Sequence, residues 1–205
     1  MPASLYYHPS SRAANVVWML EEVGIAYERR FVDLRANEQK RPEFLTKNPM
    51  GKLPVLEDGE ALVTESAAIA VYLADRYASE RLAPTLDDPK RGSYLRWCFF
   101  SPSVIEPALI AKGGGWSYGP SSAGWGTFEA MIETMQSALS QGPYVLGEQF
   151  SMADVVFGGT IRYVLMSGML DPLPVFSDYA ARLAERPAFQ RADAINAAER
   201  ARLKG

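Results

Sequence analysis

The apolar pattern of this chain changes period once, and that change decides most of what it can fold into. Through about residue 83, short apolar runs alternate with helical stripes; beyond about Lys90 strand signals fade and helical spacings of three and four dominate. Leu5-Tyr6-Tyr7 reads as a strand, and Pro9-Ser10-Ser11 combines a breaker with good helix-capping residues. Ala13, Val16, Val17, Leu20 and Val23 then form one helical stripe that stops at Gly24. Tyr27 to Val32 is a second strand, and Arg35 to Leu45 is a polar helix or loop leading into Asn48-Pro49-Met50-Gly51. Leu53 to Leu56 and Ala61 to Val63 flank the hairpin signal Asp58-Gly59, and Ala67 to Tyr77 is helical. The expected order is βαβαββα over residues 1–83, a Pro- and Asp-bearing linker over 84–89, and an all-helical domain over 90–205. Helices are expected there over 93–100, 128–139, 153–165 and 178–185, with the Gly- and Ser-rich stretch 112–126 as a loop and possible-lid segment carrying Trp116, Tyr118 and Trp125.

Two cores of this kind need enough apolar residues, and 48% hydrophobic against 22% charged residues in 205 supplies them without disulfides. A net charge of −3 provides no basic field for a phosphate backbone, so no nucleic acid partner is expected. One cysteine, Cys98, and one histidine, His8, do not make a zinc site, and no metal is expected. No leader-like pattern precedes the first strand and no apolar run reaches the roughly 18 residues that span a bilayer. The cytoplasm is the expected compartment, and no membrane partner is expected.

Four strings stand in a fixed order: Tyr6-Tyr7-His8-Pro9-Ser10-Ser11-Arg12, Asn48-Pro49-Met50-Gly51-Lys52-Leu53-Pro54-Val55-Leu56, Thr64-Glu65-Ser66-Ala67-Ala68-Ile69, and Gly147-Glu148-Gln149-Phe150-Ser151-Met152-Ala153-Asp154. In order and spacing they resemble the glutathione transferases. The resemblance implies a thioredoxin-like, glutathione-binding N-terminal domain, of the α/β class, and a helical-bundle C-terminal domain that supplies the pocket for a hydrophobic electrophile. It also implies a homodimer whose contact includes the helices near 64–77 and 93–100. Related proteins with the same thiolate act as isomerases, dehalogenases or peroxidases, and some only bind; these remain the alternatives.

The chemistry that glutathione needs can be matched to residues. Its thiol, with an ordinary pKa of about 8.5, must be held as thiolate, which a hydroxyl at a helix start achieves by donating a hydrogen bond. Ser10 and Ser11 both qualify by position; counted back from Gly24, Ser10 matches the serine of theta-, zeta- and delta-like transferases and is assigned as catalytic, with Ser11, Tyr6 and Tyr7 as competing hydroxyls. The cysteine of beta-like classes has no counterpart, Arg12 standing near its place. By the same resemblance, Leu53-Pro54 is the family's cis-proline dipeptide, whose Leu53 peptide groups pair with the cysteinyl part of glutathione. Glu65 and Ser66 would hold the γ-glutamyl ammonium and carboxylate, and Lys40, Arg41 and Lys52 are candidates for the glycyl carboxylate. Ser11 is expected to touch the ligand from the same loop. Ser151 and Asp154 form a helix capping box, a matter of stability.

Overall fold

The computed structural model describes residues 2–204. It divides into two compact units, one comprising the chain through Ala78 together with the segment from Glu185, the other Ser79–Ala184.

The first unit is built on a four-stranded sheet in the order β2-β1-β3-β4. Strand β1 (Ala3–Tyr7) leads through helix α1 (Ala13–Val23) to β2 (Tyr27–Phe31), which pairs with it in parallel, as a crossover helix requires. A 3₁₀ turn over Glu38–Lys40 and the single-turn helix α2 (Pro42–Leu45) follow where the sequence shows only weak periodicity. Strands β3 (Val55–Asp58) and β4 (Ala61–Thr64) form the expected hairpin, with β3 antiparallel to β1, and helix α3 (Ser66–Tyr77) closes the motif. Alternation along β1 sends Leu5 and Tyr7 into the core against α1 while Tyr6 faces the other side, where Phe44 of α2 meets its ring edge-on at 5.8 Å. Gly24 ends α1 at φ 76°, a conformation that costs a residue with Cβ, and its N–H returns to the carbonyl of Leu20.

The last helix of this unit, α9 (Pro187–Arg202), packs on α1. By contact geometry the described segment from Glu185 onward groups with the sheet. Its stripe is short in apolar area, Ala188, Ala192 and Asn196 at a spacing of four being its buried residues, and small side chains let two helix axes approach. Polar bonds complete the contact. Arg186 forks onto the buried Glu22 carboxylate at 2.7 and 2.8 Å, and Glu22 also accepts from Trp18 Nε1. Arg191 reaches Glu21, the Trp18 and Phe189 rings meet edge-on, and Asn196 joins Tyr7 to Ala14.

The second unit is helical: α4 (Arg91–Phe100), α5 (Glu106–Gly113), α6 (Phe128–Leu139), α7 (Met152–Met166) and α8 (Pro174–Ala184). Between α4 and α5 lies a π turn, Ser101–Ile105; prolines 102 and 107 each remove a helical N–H, and the wide turn accommodates the loss without ending the helix. The first turns of α7 are buried on all sides, with Phe157 meeting Trp97, Phe100 and Tyr179 at ring distances of 5.1 to 6.3 Å. The capping box forms: the Asp154 carboxylate accepts from the Ser151 N–H at 2.9 Å and its hydroxyl at 3.2 Å. It also accepts from the Val145 N–H and the Tyr179 hydroxyl, both at 2.9 Å. Burial pushes this carboxyl up to about 6, opposed by those four donors. No helix among the described residues is long and apolar enough to cross a membrane.

Asp154→Ala leaves these buried donors without an acceptor, and urea unfolding should show a loss of about 3–5 kcal/mol. A loss under about 1 kcal/mol would mean that water replaces the carboxylate.

Candidate functional site

Sheet order decides which loops meet. Tyr6 is paired with Val55 and Val55 with Thr64, so the end of β1, the start of β3 and the end of β4 share one edge of the sheet. Residues 8–12, 53–54 and 65–66 therefore gather there, and Phe31, paired with Tyr7, brings the start of the 32–51 segment to the same edge. Open α/β sheets bind ligands at such carboxyl ends, where loops and helix starts converge.

The β1–α1 loop separates its two serines. Ser11 Oγ donates to the His8 carbonyl at 2.8 Å and accepts the Ala13 N–H at 3.2 Å, so it serves as a local cap. The Ser10 side chain is exposed, and its hydroxyl has no partner among the described residues. Ser10 is held by its backbone, whose N–H donates to His8 Nδ1 at 3.1 Å. The competing tyrosines are engaged elsewhere. The Tyr7 hydroxyl donates to Asn196 Oδ1 at 2.6 Å within the core, where burial raises its pKa to about 12. The Tyr6 hydroxyl lies on the opposite face with Glu57, Arg30 and Lys47, beside a cleft of about 390 Å³.

Leu53-Pro54 is cis, as the resemblance implied, and the N–H and C=O of Leu53 have no protein partner among the described residues. The turn before it is fastened by the buried Asn48, which accepts the Met50 N–H and donates to the Lys52 carbonyl. Gly51 sits at φ 58° where a Cβ would stand 2.7 Å from the Gln39 carbonyl oxygen. The motif's glycine is thus fixed by close approach as well as by backbone angle.

At the head of α3, Glu65 adopts φ 66°, ψ 123°, which a residue with Cβ holds only under strain of about 1–3 kcal/mol. The Ser66 hydroxyl beside it is buried without a hydrogen-bond partner among the described residues. The first N–H groups of α3 lack intrahelical acceptors by construction, so an exposed carboxylate, an orphaned hydroxyl and free amides coincide. A zwitterionic amino-acid group satisfies all three.

The expected carboxylate-binding cations fare differently. Lys40 folds over the turn, donating to the Met50 carbonyl at 3.0 Å, and Arg41 pairs with Glu38. Lys52 is exposed and makes no side-chain ion pair among the described residues. Sequence reasoning gave no role at the site to Asn48 or His8; Asn48 was visible only as part of a motif, and nothing local announces a histidine that accepts from the residue two positions on.

Residues 1–75 match the family described as Glutathione S-transferase, N-terminal domain, and residues 120–191 match Glutathione S-transferase, C-terminal domain. The chain is 30% identical over 169 residues to Glutathione S-transferase F10 of Arabidopsis thaliana, covering 76% of this chain and 77% of that protein. It is 29% identical over 210 residues to Glutathione S-transferase 3 of Zea mays, covering 93% and 92%. Among solved structures, the glutathione transferase URE2P8 of Phanerochaete chrysosporium, crystallised with oxidized glutathione, superposes with a TM-score of 0.77 at 26% identity, covering 95% of this chain and 94% of that one.

Glycine relieves the Glu65 backbone at a smaller cost in unfolded-chain entropy, so Glu65→Gly should raise stability to urea by about 1 kcal/mol. Loss of stability in that variant would show that the Glu65 side chain, and not its backbone, governs this turn.

Proposed function

Since the chain belongs to the glutathione S-transferase family and is a transferase enzyme by its relatives' activity, we propose that it binds glutathione at this sheet edge and transfers the thiolate to a hydrophobic electrophile. The observation that carries the reading is the head of α3, where the Glu65 backbone is strained and the buried Ser66 hydroxyl has no partner among the described residues. Groups left costly in the free protein are ones that a ligand repays.

The γ-glutamyl carboxylate takes the Ser66 hydroxyl and the amides of α3, and its ammonium faces Glu65. The cysteinyl peptide pairs with Leu53 N–H and C=O beside Pro54, as an added strand would. Lys52 takes the glycyl carboxylate, and Lys40 reaches it only by giving up its bond to Met50. The thiol loses its proton to water, and Ser10 Oγ–H donates to the resulting anion near the start of α1. Ser11, which caps the helix, holds the loop around it. The sulfur then attacks the electrophilic carbon, forming the C–S bond while the leaving group departs or an activated double bond takes up a proton. The protein forms no covalent bond; it contributes anion stabilisation and proximity. The second substrate belongs to the helical unit, the active protein is a homodimer through α3 and α4, and the compartment is the cytoplasm.

Two measurements test this. Titration calorimetry should give glutathione binding in Glu65→Ala at least severalfold weaker than in the parent, about 1 kcal/mol or more; equal binding rules out the clamp. In Ser10→Ala, loss of one charge-assisted bond of about 1.5–3 kcal/mol should move the thiolate absorbance of bound glutathione about one to two pH units higher. Turnover against a panel of aryl halides, enones, haloalkanes and peroxides should fall about tenfold or more, with affinity changed much less. An unchanged titration in Ser10→Ala, with a raised one in Ser11→Ala or Tyr7→Phe, reassigns the hydroxyl.

A further inference from the structure

We infer that His8 is a positioning residue for Ser10, acting through the hydrogen bond from the Ser10 backbone N–H to His8 Nδ1, and that protonation of this nitrogen releases the serine and ends thiolate stabilisation. The inference rests on the serine reading above and adds a residue and a pH dependence to it.

A backbone N–H only donates, so the 3.1 Å contact fixes Nδ1 as an acceptor and places the single ring proton of a neutral imidazole on Nε2. The ring is buried and lies against Phe31, with centroids 5.4 Å apart. The carbonyl of the same residue accepts both the Ser11 N–H at 3.1 Å and the Ser11 hydroxyl at 2.8 Å. One residue therefore sorts the two serines. Its backbone oxygen consumes the Ser11 hydroxyl, and its ring fixes the Ser10 backbone, leaving the Ser10 hydroxyl as the uncommitted donor.

The charged groups that face the ring are Asp33 and Arg35 from the segment after β2 and Glu199 from α9, with Arg12 following in the loop itself. Asp33 and Glu199 favour the imidazolium and Arg35 opposes it; burial outweighs them and holds the imidazole below its ordinary value of 6.5. The sign follows directly. His8 is neutral at pH 7 and the contact is intact; as pH falls through its lowered pKa, Nδ1 gains a proton and two donors face each other across the same gap. The loop then has to move.

The test uses the full chain with His8→Ala, His8→Asn and Ser10→Ala, glutathione, and a chlorodinitrobenzene electrophile. Asn presents an acceptor oxygen near the place of Nδ1 and does not titrate. His8→Ala should raise the pH at which bound glutathione forms its thiolate and lower kcat about three- to tenfold, with KM for glutathione changed less than about twofold. His8→Asn should recover most of that loss. Below the lowered pKa, log kcat/KM of the parent should fall with a slope approaching two, one proton for the thiol and one for His8, whereas His8→Asn should fall with a slope near one. In the ligand-free parent, the Ser10 amide resonance should titrate together with the His8 ring. An amide that ignores the His8 titration overturns the inference, as does a His8→Ala protein with an unchanged thiol titration and kcat while Ser10→Ala shifts both. If neither variant moves the thiol, the serine reading itself falls and takes the inference with it, a case marked by an amide that still follows the ring.

Discussion

The buried hydrogen bond from the Tyr7 hydroxyl to Asn196, 2.6 Å long, ties together parts of the chain 189 residues apart. Asn196 also donates to the Ala14 carbonyl, so one amide spans the end of β1, the first turn of α1 and the last helix. Both polar ends are satisfied in a place where an unpaired group would be costly, which makes the arrangement specific as well as stabilising. The loop that carries Ser10 lies between the two anchored points, Tyr7 and Ala14. Its position is therefore set by a helix that the chain reaches only at its far end. The Glu22–Arg186 fork and the Trp18–Phe189 contact extend the same seam along α1.

Against this satisfied seam, the opposite character of the candidate site stands out. Along that seam the polar groups are paired, whereas at the carboxyl edge the hydroxyls of Ser10 and Ser66 and the peptide groups of Leu53 have no partner among the described residues and the Glu65 backbone is strained. Natural folds retain such local costs where a ligand removes them. The strands on either side hold these groups in place, which under the proposed reading limits the binding energy lost to ordering.

The elements with strong periodicity were legible. The β1, α1, β3–β4 and α3 boundaries match within a residue or two, because each element has a clear stripe or turn signal: Gly24 after α1, Asp58-Gly59 in the hairpin, Ser66 at the start of α3. Helix α5 was not read, since Pro102 and Pro107 look like breakers until the π turn absorbs them. Helix α9 was not read as a separate element and was placed with the helical half, because its buried stripe is Ala188, Ala192 and Asn196, too weakly apolar to announce a partner. The candidate site was legible only as motifs, whose order along the chain sufficed for the family.

By itself the sequence determined the βαβαββα order, the helical second half, the capping box at Ser151 and Asp154, and the residue types at the sheet edge, because these follow from periodicity and from bonds between near neighbours. Only the tertiary structure decided which hydroxyl is uncommitted, that Tyr7 and Tyr6 are engaged on opposite faces, that Lys40 leans on Met50 while Lys52 stays unpaired, and that α9 belongs to the sheet unit. Those outcomes depend on competition among partners brought together from distant parts of the chain. A local pattern states what a side chain can bond to; the fold states what is within reach, and burial sets the cost of leaving it unbonded.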